Sequence, residues 1–238
     1  YEISTRDWSS DVCSSDLSTN NALITIATAN GGSLVRSGAI NAGTANVTLL
    51  LAGGTNGTGL VTANQLTLNA VGTSSVNTAI TGLVANVSGA GNALAVYQTG
   101  GNLTVAAGNV RTNNGSLTLD VAPNSSLTVL GNINVGTATA TLNATGGAVN
   151  ATGLITAGAL NVFAASTSSL TTAIGTLTAN ITGPASALTV AQNGTLTVGA
   201  NGVRTSNGPI TITTTGGGSL VRDRKSTRLN SSHEWVSR

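Results

Sequence analysis

Three side chains suited to thiol, imidazole or amine chemistry occur once each in this chain, and all three sit near its ends: Cys13, His233 and Lys225. A nucleophile needs a base within reach, and a catalytic metal needs three or four donors, so single residues at opposite ends define no site by spacing. Between them, residues 18–221 carry only four charged side chains, Arg36, Arg111, Asp120 and Arg204. One carboxylate cannot supply the acid pair of a glycosidase or a calcium cage of several oxygens. No Gly-x-x-x-x-Gly-Lys loop and no nucleophile elbow is present. The sequence therefore offers no catalytic residue, no cofactor-binding residue and no metal ligand, and the expectation is that the chain is not an enzyme. Arg111-Thr112 and Arg204-Thr205 are the one recurring charged pattern. A periodic ligand contact is one reading of them; a solvated corner arginine ahead of an Asn-Gly turn is the simpler one. Arg36 and Asp120 read as isolated surface residues.

The net charge of +2 invites a nucleic-acid partner until the charges are located. Twelve of the sixteen lie in residues 1–17 and 222–238, together with both tryptophans, whereas all 31 glycines and all three prolines lie between. The ends resemble translated sequencing-adapter DNA. When Asp223-Arg-Lys-Ser-Thr-Arg-Leu-Asn-Ser-Ser-His233 is written in suitable codons, its reverse complement, one frame over, encodes Asp7-Trp-Ser-Ser-Asp-Val-Cys-Ser-Ser-Asp16. Residues 1–17 and 222–238 are accordingly expected to be adapter-derived and unstructured, leaving 18–221 as an internal piece of a larger protein. That segment holds no run of 18 apolar residues to span a membrane, and no nucleic-acid partner is expected.

The segment is a tandem array. Residues 38–121 align with 131–214 at a period of about 93 residues, with Ile40-Asn41 on Ile133-Asn134, Thr73-Ser-Ser75 on Thr167-Ser-Ser169, and Leu103-Thr-Val105 on Leu196-Thr-Val198. Within each copy, apolar residues alternate over short runs such as Leu117-Thr-Leu119, which predicts strands with one buried face. Gly-Gly, Asn-Gly, Gly-Asn and Pro-Asn pairs separate the runs and supply tight turns. Only 7% of residues are charged and 2% aromatic, so a core of large side chains is not available, and small aliphatics in regular contact must replace it.

Strands recurring every 19–23 residues predict an all-β fold, a right-handed parallel β-helix of about nine or ten coils with four or five coils in each copy. Residues 18–221 would form one domain of two 93-residue units, with Leu, Val and Ile stacked inward and Thr or Asn outward. Immunoglobulin-like modules of similar length compete with this reading, but lack a central aromatic and a charged solvent face. Two further readings are weaker. The Asn-x-Thr/Ser triplets at Asn46, Asn86, Asn102, Asn143, Asn150, Asn180 and Asn193 match glycan acceptors, although this composition generates such triplets freely. An ice-ordering threonine array begins at Thr211 and Thr213, but its sequence equivalents Leu117-Thr118-Leu119-Asp120 and Ile24-Thr25-Ile26-Ala27 break it.

Thr152-Gly-Leu-Ile-Thr-Ala-Gly-Ala-Leu-Asn161, Gly100-Gly-Asn-Leu-Thr-Val105 and Asn207-Gly-Pro-Ile-Thr-Ile212 resemble the repeats of filamentous-haemagglutinin-type adhesins, and similar coils occur in autotransporter passengers. The resemblance spans 18–221. It implies a non-catalytic β-helical stalk of a large secreted surface protein of Gram-negative bacteria, an outer-membrane transporter as partner during export, cell-surface ligands engaged by other parts of the protein, and an extracellular location. The alternative is part of a carbohydrate-active β-helix whose acidic site lies outside this segment. Neither reading names a ligand-binding residue.

Overall fold

A computed structural model describes residues 12–13 and 16–222. Most of the two adapter-like ends lies outside the described residues. Strand pairing nonetheless reaches slightly into both. Leu17–Ser18 pair with Ile40–Asn41, Val12–Cys13 pair with Val35 and Arg36, and Leu220–Arg222 pair with Leu196, Thr197 and Val198.

Every regular element among the described residues is a β-strand, and every pairing is parallel. A parallel neighbour cannot follow through a hairpin, so each strand pairs with the strand one coil later. The result is a β-solenoid of about ten turns. Its axis is traced by an inward ladder: Ile24, Val47, Leu66, Leu83, Val105, Val129, Ala151, Leu170, Val190 and Ile212 lie directly in register, each on the next. All ten are buried. A second ladder runs Leu94, Leu117, Ala140, Leu160, Leu177 and Val198, again wholly buried.

Period-two alternation produces this arrangement locally. In Leu117–Val121 the burial alternates residue by residue, with Leu117, Leu119 and Val121 inside and Thr118 and Asp120 turned outward. Coil length varies from 17 residues between Leu66 and Leu83 to 25 between Ala85 and Val110, and the extra residues are taken up in turns and bulges. The longest strands bend round the coil. Ser74–Ala90 pairs through its first half with Leu94–Gln98 and through its second half with Leu103–Asn113.

The 93-residue copies are not a whole number of coils. Leu66 and its sequence equivalent Leu160 occupy different ladders: four coil steps from Leu66 lead to Ala151 and a fifth to Leu170, and Leu160 falls between them. Each copy is thus about four and a half coils, and equivalent residues of successive copies emerge half a coil apart.

Candidate functional site

The recurring arginine motif is a turn. In the first copy the Thr112 hydroxyl donates to the Gly115 carbonyl, Asn114 takes a left-handed φ of 56°, and a Cβ on Gly115 would lie 1.8 Å from the Asn92 carbonyl of the preceding coil. Its equivalent repeats all three features: Thr205 donates to Gly208 O, Asn207 has φ 62°, and a Cβ on Gly208 would lie 1.9 Å from Ser186 O. Only glycine permits that approach, and asparagine is among the few side-chain-bearing residues that tolerate the left-handed region. Arg111 and Arg204 themselves are exposed.

The two arginines do not form one ligand track. Arg111 stands in an outward column with Leu50, Asn69, Asn86, Asn134 and Thr156. Arg204 stands in another, which runs Tyr97, Asp120, Asn143, Phe163, Asn180, Arg204. The half-coil offset between copies separates them. The second column also gathers the two exposed aromatic residues of the described chain, Tyr97 at 41% and Phe163 at 36% exposure, and the half-buried Asp120. Beside it, two residues back along each strand, lies a second outward column of Ala95, Thr118, Thr141, Asn161 and Thr178. Midway along the Tyr97–Arg204 column, Asn143 Oδ1 is buried without a hydrogen-bond partner, the only such side-chain atom among the described residues.

Arg36 corrects the expectation of an isolated surface residue. It is 1% exposed, and its guanidinium donates from Nε to Thr55 Oγ1 at 3.1 Å, from Nη1 to Gly59 O at 2.6 Å and from Nη2 to Ser75 O at 2.8 Å. Its strand neighbours Leu34, Thr55 and Ser74 show why a cation is tolerated: the second ladder turns polar at Thr55 and Ser74. Burial pushes Arg36 down from its ordinary value to about 10, which leaves it protonated at neutral pH. Asp120 meets the expectation only in facing outward; the register gives it Tyr97 and Asn143 as neighbours.

Two buried amides, Gln98 and Gln192, carry further inward hydrogen bonds that no motif in the sequence marks. Gln98 Oε1 accepts from Thr78 Oγ1 at 2.8 Å and from Ile80 N at 3.2 Å, while its Nε2 donates to Ile80 O at 2.6 Å and Gly100 O at 2.7 Å. Gln192 repeats the clamp on Thr172 Oγ1 and on both backbone groups of Ile174. Their one signal is recurrence, since glutamine occurs three times in the chain and two of the three are aligned by the repeat.

The threonine array is decided by stacking and not by the repeat. Thr211 lies on Thr189, but Thr213 lies on Ala191, so the second file of hydroxyls stops after one coil. Among the described residues no three of His, Cys, Asp and Glu come together, and no helix is long and apolar enough to cross a membrane.

Fold and side chains together define a β-solenoid repeat segment. No protein-family model, no curated protein and no solved structure matches the chain.

Proposed function

We propose that this chain is a non-catalytic structural segment, a stalk that holds other regions of a large secreted bacterial surface adhesin away from the cell. The observation that carries the reading is the unbroken inward ladder from Ile24 to Ile212, in which every coil is stabilised by its two neighbours and none depends on a long-range closure. Such a stack lengthens without changing its cross-section, which suits a spacer. Cysteine is absent between residues 18 and 221, and charge is sparse there. A chain of that kind passes an outer-membrane transporter unfolded and then folds coil by coil outside, with no disulfide to form.

Two experiments test the proposal. Small-angle X-ray scattering of the full chain should give a rod whose ordered part is about 45 Å long, from ten coils at the sheet spacing; a globular profile would remove the physical basis for a stalk. Coexpression behind a two-partner secretion signal, with and without the cognate transporter, should place the chain in the medium only when the transporter is present. Equal retention in both cases would refute the export route.

A further inference from the structure

We propose that the outward column from Tyr97 to Arg204 is a binding platform for an uncharged polysaccharide lying along the rod axis. This goes beyond a spacer role. The column brings together residues 97, 120, 143, 163, 180 and 204, which no sequence motif connects, by stacking five successive coil steps.

The chemistry of the face selects the ligand. A sugar ring has an apolar face of axial C–H groups and a rim of hydroxyls, each both donor and acceptor. Tyr97 and Phe163 are the exposed rings of the column, and three coil steps, about 14 Å, separate them. That gap leaves room for ring units between two stacking points. The exposed Asn180 supplies a planar amide, which pairs with vicinal hydroxyls through one donor and one acceptor, and the half-buried Asp120 adds a carboxylate acceptor. Thr118, Thr141 and Thr178 in the adjoining column are short, so they form a floor that lets a chain lie against the sheet while offering further hydroxyls.

Charge excludes the other extended polymers. Arg204 is the one cation in the column and Asp120 stands about 19 Å from it, so the column offers no cluster of positive charge to nucleic acid or to a sulfated or uronic-acid glycan. A membrane would require a contiguous apolar face, whereas the positions between the two rings are polar.

The test uses the full 238-residue chain in affinity gel electrophoresis with three neutral probes cast separately into the gel: hydroxyethylcellulose, glucomannan and laminarin. Retardation by at least one is expected. Joint replacement Tyr97→Ala and Phe163→Ala should weaken that retardation about tenfold or more, because each ring contributes stacking beyond its buried area. Leu50→Ala, an exposed apolar residue in the other column, should leave it unchanged. Circular dichroism of both variants should match the parent, since the replaced side chains are exposed. The proposal is overturned if no neutral probe retards the chain, if the double variant is retarded as strongly as the parent, or if only an anionic probe such as heparin is effective. None of these failures bears on the rod dimensions or on secretion, which test the stalk reading separately.

Discussion

The guanidinium of Arg36 reaches the carbonyl of Ser75, 39 residues further along the chain and two coils away. With its bonds to Thr55 and Gly59 in the intervening coil, one side chain ties three successive turns of the solenoid through its interior. Space for it is made by glycine: a Cβ on Gly59 would lie 1.9 Å from Gly38 O and 3.3 Å from Arg36 Cβ.

Replacing this residue should therefore loosen the N-terminal coils. Arg36→Ala leaves a cavity and strands acceptors that now receive charge-assisted bonds, with an expected cost of about 2–4 kcal/mol. Urea titration followed by hydrogen exchange should show protection lost first in residues 34–80. A stability within about 0.5 kcal/mol of the parent would contradict the role given to the three bonds.

The same group predicts a pH dependence. Burial lowers the folded-state value of Arg36 to about 10, below its unfolded value, so the unfolded chain binds more proton in the window above about pH 10. The difference in stability between the parent and Arg36→Met should be flat at lower pH, then move in the parent's favour as pH rises past about 10. Movement in the opposite direction would show that the folded state holds the proton more tightly than the unfolded chain.

Gln98 and Gln192 make the same clamp in two copies, so their loss should cost alike. Gln98→Leu and Gln192→Leu each remove bonds to both backbone groups of one isoleucine, Ile80 and Ile174 respectively, at about 1–3 kcal/mol. Because the sites lie several coils apart, hydrogen exchange should report each loss locally and the double variant should be close to additive. Strong coupling between them would argue against a stack held by nearest neighbours.

At the turn that recurs between copies, Gly115→Ala and Gly208→Ala should both be severe, since the added Cβ would sit within 2 Å of a backbone carbonyl in the preceding coil. Removal of the exposed charge beside it, Arg111→Ala or Arg204→Ala, should change the thermal midpoint by no more than a degree or two. The recurrence of the motif is thus expected to trace to the glycine and asparagine. A larger effect from the arginines would reverse that assignment.

Much of the architecture was legible in advance. Alternation in Leu117-Thr118-Leu119 gave the strand and its inner face, and the Asn-Gly pairs gave the turns. The surroundings of Arg36 were not legible, because its partners Thr55, Gly59 and Ser75 are ordinary residues in an uncharged, glycine-rich chain until the coils are stacked. The column shared by Tyr97 and Phe163 was hidden for a related reason: the alignment of copies pairs Phe163 with Asn69 and Tyr97 with Ala191.

By itself, then, the sequence determined the strand type, the turn chemistry and the 93-residue period, all of which depend on neighbours a few residues apart or on plain recurrence. Only the tertiary structure decided which residue lies on which. Coils of 17 to 25 residues do not divide the period evenly, so the half-coil remainder moves equivalent residues onto different columns. Burial of Arg36 and the separation of Arg111 from Arg204 follow from that stacking register, which is set by the packing of small side chains along the whole rod and is encoded at no single position.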